Sequence, residues 1–191
     1  MKKYKVILAD PPWPIKWGGG TVGLKNLSYN TMTIAEIAEM PIKEITEHDC
    51  MLYIWTTNAF LPEALGIIRI WGFEYKGIWT WCKNNGMGGH PRNATEQLLI
   101  AQKGNIPSIG RHEKATLNWY EHPRLSHSEK PEYFRQMIKK FTPEPRLELF
   151  ARTKTDGFDA FGNQINSDVF ILTHDLFSNS FEKTDERGQK K

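Results

Sequence analysis

Four consecutive residues near the start of the chain, Asp10, Pro11, Pro12 and Trp13, combine the groups needed to modify an exocyclic amine. The nitrogen of such an amine is a poor nucleophile because its lone pair is delocalised into the ring. The Asp10 carboxylate and the Pro11 carbonyl could each accept one amine hydrogen, which turns the lone pair towards a methyl donor. The two prolines restrict φ and remove backbone donors. Trp13 offers a flat face for a base that has left its stack.

A positively charged methyl donor would be stabilised near a carboxylate and an aromatic face. Alignment of amine, methyl group and leaving sulfur would then supply most of the rate. The two cysteines, Cys50 and Cys82, form no CxxC pair and have no histidine couple nearby at zinc-ligand spacing. We therefore expect direct transfer without a metal.

The helices and strands that must position this tetrapeptide can be predicted from apolar runs and from the residues that typically begin or end such elements. Asp10 directly follows the apolar run Tyr4 to Ala9, which predicts a buried strand ending in the proline corner. Thr33 and Glu36 form a capping-box signature for a helix that ends before Pro41. Further strands are predicted over residues 50–55, 73–83, 96–102, 146–151 and 169–172.

Two more helices are predicted, over residues 59–71 and from Ser128, as its cap, through Phe141. Residues 14–30 and 84–95 are rich in glycine and predict flexible loops. Strands alternating with helices indicate a Rossmann-like α/β fold, with a mostly parallel central sheet flanked by helices. Ligands of such sheets bind off the carboxyl ends of the strands. This rule places Asp10, residues 56–58, Lys83 and Arg152 on one edge.

Length and charge allow several functions. The 191 residues fit a single domain, expected over residues 1–177, with a polar and disordered tail over 178–191. The net charge of +3 permits a polyanionic partner but does not require one. Neither a signal peptide nor a membrane span is indicated, so we expect a cytoplasmic protein. Seven tryptophans are a high number for this length; Trp55, Trp71 and Trp79 are expected in the core.

Several motifs in a fixed order carry a resemblance to a known family. The chain resembles the MT-A70 family of adenine-N6 methyltransferases from about Val6 to Gln164, including its permuted, β-class order of motifs. The motifs are ADPPW at 9–13, YNTM at 29–32, LYIWT at 52–56, WGFE at 71–74, WCK at 81–83, EQLLIAQKGN at 96–105, SEKPE at 128–132, ELFAR at 148–152 and GNQ at 162–164. Any one of these motifs is unremarkable, but their order is specific.

The resemblance implies S-adenosyl-L-methionine as cofactor. Lys130 would then pair with the carboxylate of its methionine part, and Asp10 would lie near both its amine and the target nitrogen. Contacts to its ribose or adenine would come from Arg152, Asn163 and Gln164, whose side chains suit hydroxyls and ring nitrogens. One departure is Ala151, which stands where many methyltransferases have glycine, so cofactor binding is expected to depend on side chains.

Substrate contacts are expected from five residues. Glu96 is a further candidate, but it could as easily brace the neighbouring loop. The five residues are Trp13, Tyr29, Lys83, Arg92 and Asn93.

The motifs leave alternatives open. DNA and RNA are both possible substrates, because the DPPW motif would contact the amine and not the sugar, and DNA is preferred here. Methylation of cytosine N4 is a narrower rival. A nucleic-acid-binding partner subunit with a degenerate site is a third interpretation, against which the intact DPPW, Lys130 and GNQ argue. A homodimer or a second subunit is also possible.

Overall fold

The computed structural model describes residues 2–14, 31–87, 90–106, 116–125 and 129–171. Its strands form a seven-stranded sheet in the order β5-β3-β4-β2-β1-β6-β7. The strands are β1 (Tyr4–Ala9), β2 (Thr46–Thr57), β3 (Glu74–Met87), β4 (Asn93–Lys103), β5 (Trp119–Glu121), β6 (Arg146–Leu149) and β7 (Asp159–Phe161).

Most neighbouring strands in the sheet are parallel. β1 pairs in parallel with β2 and β6, β6 pairs in parallel with β7, and β3 with β5. β4 is the exception, because it is antiparallel to both β2 and β3. The predicted α/β architecture with a mostly parallel sheet is therefore confirmed. The carboxyl ends of β1, β2, β3, β6 and β7 all meet at one edge, here called the carboxyl edge.

Helices cover both faces of the sheet. One face carries α1 (Ile34–Ala38), α2 (Ile42–Ile45) and α3 (Leu61–Ile70), which bury Ile37, Ile42 and Ile67 against the strands. The opposite face carries α4 (Glu132–Phe141), which buries Phe134 and Ile138. Burying apolar side chains on both faces is the main favourable term in such a sandwich. None of the helices in the described ranges is long and apolar enough to span a membrane.

Local signals in the sequence explain several element boundaries. The capping box at α1 is present, since Thr33 accepts from the Glu36 amide and Glu36 accepts from the Thr33 amide. α4 ends at Phe141 as predicted but begins at Glu132, with Pro131 directly before it. Ser128, its predicted cap, lies outside the described residues, as do residues 172–191 and thus the predicted tail.

Two predictions of local structure are wrong. The described part of the predicted sixth strand, residues 169–171, is not a strand. The residue before it, Asp168, donates its amide to the Ala160 carbonyl, and Ile171 is buried in the core. The edge strands are instead β5 and β7, each three residues long and without a strong apolar pattern. Much of the predicted flexible loop at 84–95 belongs to β3 and β4, because these strands form a hairpin.

The tryptophan predictions hold in part. Trp55 and Trp71 are buried. Trp79 is only partly buried and stacks on Tyr53, with ring centroids 5.9 Å apart. Trp81 is also buried, and its indole nitrogen donates to the His122 carbonyl, a core role that the sequence did not indicate.

Candidate active site

The DPPW segment forms a tight turn at the carboxyl end of β1. The Trp13 amide donates to the Pro11 carbonyl at 2.8 Å, and the Met32 amide donates to the Pro12 carbonyl at 2.9 Å. Proline at positions 11 and 12 supplies no competing amide, so the turn presents carbonyl oxygens. The Asp10 side chain remains 28% exposed at this corner. The carboxylate is therefore accessible at the carboxyl edge.

Trp13 is held from two sides. Its ring stacks on Phe60 with centroids 5.5 Å apart and planes 13° apart. Its indole nitrogen donates to the Trp55 carbonyl at 3.0 Å. Phe60 belongs to the short 3₁₀ turn Asn58–Phe60 that follows β2. The ends of β1 and β2 thus fix the orientation of this indole.

Lys130 brings a buried positive charge to the same corner. Its ammonium donates to Asp10 Oδ2 at 2.7 Å and lies 3.6 Å from Glu96 Oε2, and its side chain is 10% exposed. The ammonium also lies 5.5 Å from the centre of the Trp55 ring, within cation–π range. Burial alone would lower the pKa of Lys130, but the charges of Asp10 and Glu96 outweigh it and raise this pKa.

Glu96 connects Lys130 to Lys83. Its Oε1 accepts a hydrogen bond from Lys83, and both partners are largely buried. Burial works to raise the pKa of Glu96, yet the charge of Lys130 and the Lys83 hydrogen bond lower it overall. Asp10, Lys130, Glu96 and Lys83 thus form a chain of alternating charges, here called the ion-pair chain. Two carboxylates and two ammonium groups balance, which makes their burial tolerable.

The carboxyl ends of β6 and β7 form a second corner beside the first. Phe150, directly after β6, has a φ of 62°, a left-handed conformation that non-glycine residues rarely adopt. The chain turns sharply here, and the Ala151 amide donates to the Phe161 carbonyl at 3.0 Å. A Cβ at Gly162 would lie 2.0 Å from the Ala151 carbonyl oxygen, so only glycine permits this approach.

This second corner brings the predicted cofactor residues to one edge. Arg152 follows the turn after β6, and its charge acts on Lys130. Asn163 and Gln164 are exposed in the turn that follows Gly162. Because β1, β6 and β7 are adjacent parallel strands, these side chains lie at the same edge as Asp10.

A separate ion pair supports α4 beneath this edge. Arg135 donates from Nε and Nη2 to the two oxygens of the buried Glu148, at 3.1 and 2.6 Å. Burial would lower the pKa of Arg135, but the Glu148 hydrogen bonds and charge raise it. This bidentate contact fastens α4, and with it the Lys130 turn, to β6.

The remaining predicted substrate residues are distributed differently. Lys83 is 8% exposed and is bound to Glu96 rather than open to solvent. Arg92 and Asn93 are exposed on the β3–β4 hairpin. Tyr29 lies outside the described residues. Sequence reasoning placed Asn58 at this edge but did not indicate its contact with Asn93, and it did not indicate that Glu96 bridges two lysines. Neither contact has a periodic signal.

The fold and the site together define the class of protein. A Rossmann-like sheet with a DPPW turn after its first strand, and a lysine and polar turns at the same edge, is a methyltransferase arrangement. The MT-A70 family model matches residues 4–164. The chain therefore belongs to the MT-A70 family of N6-adenine methyltransferases.

Individual relatives support this membership. The chain is 32% identical over 184 residues to the type II methyltransferase M.MunI of a Mycoplasma species, covering 86% of this chain and 78% of that protein. It is 31% identical to the N6-methyladenosine RNA methyltransferase MTA1 of Pyricularia oryzae, across 85% of this chain and 47% of the relative. It is 28% identical to the human N(6)-adenosine-methyltransferase catalytic subunit METTL3, across 91% of this chain and 30% of the relative. The chain thus spans less than half the length of either eukaryotic relative.

Proposed function

We propose that this chain transfers a methyl group from S-adenosylmethionine to the N6 amine of adenine in DNA. The observation that carries the proposal is the accessible Asp10 carboxylate at the end of β1, 2.7 Å from the buried Lys130 ammonium. The proposal includes action in the cytoplasm, alone, as a homodimer or with a second subunit. Substrate contacts are assigned to Trp13, Tyr29, Lys83, Arg92 and Asn93.

The acceptors at the corner match the two hydrogens of an adenine amine. Lys130 binds Oδ2 of Asp10, and Oδ1 makes no hydrogen bond within the described residues. The Pro11 carbonyl accepts from the Trp13 amide and keeps its second lone pair. Asp10 Oδ1 and the Pro11 oxygen can each hold one N6 hydrogen, which leaves the nitrogen lone pair free to face the methyl donor.

The donor groups at the edge suit S-adenosylmethionine, which supplies, when bound, a methyl group on a positively charged sulfur. Lys130 can bind its carboxylate, and Asp10 can bind its amine and stabilise the positive charge. Arg152, Asn163 and Gln164 offer the donors and acceptors that ribose hydroxyls and ring nitrogens require. The roles of these five residues are part of the proposal.

In this proposal the Lys130 ammonium must interact with both Asp10 and the cofactor carboxylate. In the structure this ammonium bonds to Asp10 and lies 3.6 Å from Glu96 Oε2. A lysine ammonium has three donors. The cofactor carboxylate is assigned to this same ammonium, in exchange for part of its present hydrogen bonding.

DNA is favoured over RNA by the extent of the similarity. The match covers 78% of the bacterial type II methyltransferase, but 47% of the fungal RNA methyltransferase. The bacterial relative is therefore the better guide to a domain of this size. RNA remains the rival substrate, supported by the 31% identity to the fungal enzyme.

Nucleoside mass spectrometry tests the proposal. The protein is incubated with S-adenosylmethionine and matched DNA or RNA oligonucleotides, which are then digested to nucleosides. We expect N6-methyldeoxyadenosine from DNA and little product from RNA. A product found only in RNA moves the substrate to RNA, and N4-methylcytosine refutes the assignment to adenine. Absence of S-adenosylmethionine binding in calorimetry would instead support a partner subunit.

A further inference from the structure

The β3–β4 hairpin extends beyond the carboxyl edge of the sheet. The last pair between β3 and β5 is Cys82 with Glu121, and the last pair between β4 and β2 is Glu96 with Thr57. Past these pairs, no other strand of the described residues pairs with the hairpin. We call residues 83–87 and 90–95 the arm. Its base carries Lys83, so the arm begins at the ion-pair chain.

The strand register of the arm is interrupted by a bulge in β3. Between the pairs Cys82–Thr95 and Met87–Asn93, β3 advances five residues while β4 advances two. The additional residues of β3 include Asn84 and Asn85, which are exposed. Bulges re-aim side chains and are common beside active sites. This one adds two amide side chains to the arm close to the catalytic corner.

Gly86 determines where Arg92 can lie. A Cβ at position 86 would be 2.7 Å from the Cβ of Arg92, closer than side chains tolerate. Glycine therefore lets the two strands of the arm approach each other at this point. Any larger residue at position 86 must displace Arg92 without changing the charge of the arm.

Asn58 fastens the arm to the sheet. Its amide nitrogen lies 3.2 Å from both Asn93 Oδ1 and Thr95 Oγ1. Asn58 follows β2 directly and belongs to the same 3₁₀ turn as Phe60, which stacks on Trp13. The arm and the Trp13 ring are thus positioned by one short turn. Asn93 uses its oxygen in this contact, which leaves its amide nitrogen as a donor.

The charge of the arm is positive. Residues 83–95 contain Lys83, His90 and Arg92 but no aspartate or glutamate. Lys83 is neutralised by Glu96. Arg92 is exposed and makes no ion pair with the described residues. An unpaired guanidinium among amide side chains is the combination that contacts both phosphates and base edges of nucleic acids.

We propose that this arm enters a groove of double-stranded DNA beside the target adenine, with Arg92 as its principal contact. The inference rests on the proposed function and adds the form of the substrate. A two-stranded β-ribbon fits the major groove. The β4 side of the arm, Asn93–Thr95, extends about 10 Å at roughly 3.3 Å per residue, comparable to the groove depth of about 8.5 Å.

Binding measurements with matched variants test the arm. The probe is a short mixed-sequence DNA duplex and, separately, one of its strands, with dissociation constants measured by fluorescence anisotropy. Arg92→Ala should weaken duplex binding about tenfold, the usual cost of losing one such arginine contact. Binding of the single strand should fall much less. The Kd for S-adenosylmethionine should be unchanged, which shows that the variant is folded.

Gly86→Ala separates geometry from charge. It keeps every charge but displaces Arg92, so it should also weaken duplex binding while leaving the Kd for S-adenosylmethionine unchanged. Arg69→Ala is the control, because Arg69 is an exposed arginine in the last turn of α3, at the opposite edge of the sheet. It removes the same charge and should leave duplex binding at the wild-type value.

These measurements distinguish an error in the arm inference from an error in the proposed function. If the wild type methylates DNA but both arm variants bind duplex as tightly as it does, the arm inference is wrong and the function stands. Equal losses for duplex and single strand would also overturn it, because a groove contact requires the duplex. If the wild type methylates no DNA, the proposed function itself fails.

Discussion

Two buried cations flank α4, and they are bound in opposite ways. Arg146, which follows the helix, donates to the Thr142 hydroxyl and carbonyl, the Lys139 carbonyl, the Gly157 carbonyl and Glu144. All of these partners lie within eleven residues of it. Lys130, which precedes the helix, instead bonds to Asp10, 120 residues away, and lies beside Glu96.

The difference distinguishes a structural cation from a functional one. Carbonyl oxygens near in sequence occupy the donors of Arg146, so this guanidinium closes the loop between α4 and β6. Lys130 is shared by carboxylates from two distant strands, one of them partly exposed. A cation held this way can exchange a partner for a ligand without unfolding its own segment. Four predictions follow from this contrast, in order of decreasing effect.

Removing the carboxylate of Asp10 should have the largest effect. We expect Asp10→Ala to lower the rate of methyl transfer by about a thousandfold or more, because the amine loses one of its two acceptors. Cofactor binding should be weakened but present. The fold should persist, because Lys130 keeps Glu96 as a partner. Single-turnover kinetics and thermal unfolding measure the two effects.

Asp156→Ala is the matched control for Asp10→Ala, because the Asp156 side chain is fully exposed and lies outside the site. It should transfer methyl groups at the wild-type rate. Full activity in Asp10→Ala would refute the role assigned to Asp10.

Replacing Arg146 should affect stability rather than catalysis. Arg146 is 7% exposed, and Arg146→Met leaves several carbonyl oxygens and Glu144 without their donor. We expect the free energy of unfolding to fall by roughly 3 kcal/mol, measured by urea denaturation. The folded fraction should keep the wild-type Kd for S-adenosylmethionine. A large change in this Kd, with unchanged stability, would reverse the contrast between the two cations.

Replacing Lys130 should show the opposite pattern. Lys130→Met keeps the length of the side chain but removes the charge that would bind the cofactor carboxylate. A charged hydrogen bond contributes about 1.5–3 kcal/mol, so the Kd for S-adenosylmethionine should rise roughly ten- to a hundredfold in calorimetry. The unfolding free energy should change less than in Arg146→Met. A greater loss of stability than of affinity would make Lys130 a structural residue.

The sequence predicted the parts of this contrast that depend on local order. Short apolar patterns and the residues that begin or end elements predict three features: the strand before Asp10, the capping box at Thr33 and the end of α4. The carboxyl-edge rule for parallel strands then placed Asp10 and Arg152 at one edge. Family motifs, not periodicity, pointed to Lys130.

Contacts between distant segments could not be predicted in the same way. Glu96 bridges two lysines because the register of β3 and β4 sets it opposite Trp81. The residues next to Glu96 in the sequence do not predict that register. The strands β5 and β7 are only three residues long, too short for a periodic apolar pattern, and each is paired along the edge of a longer strand. The left-handed Phe150 directly precedes Ala151, whose backbone is closely approached by Gly162. This contact joins distant segments and has no local signal in the sequence.

The smallest expected effect is the pH dependence contributed by Glu96. Its pKa is lowered in the folded state, because Lys130 and Lys83 favour the charged form despite burial. A group whose folded pKa is depressed stabilises the protein above its unfolded pKa and loses this contribution as the pH falls through the folded value. The ion-pair chain should therefore lose stability as the pH drops below about 4.5, the ordinary glutamate value.

Comparing wild type with Glu96→Gln in urea denaturation at several pH values isolates this contribution. The amide cannot titrate, so the stability difference between the two proteins should be constant near neutral pH and shrink as the pH falls below that value. Arg146 has no part in the ion-pair chain, so Arg146→Met should show the same acid-dependent loss as wild type. If Glu96→Gln retains the full wild-type pH dependence, the lowered pKa belongs to another carboxylate, and the ion-pair chain does not stabilise the corner.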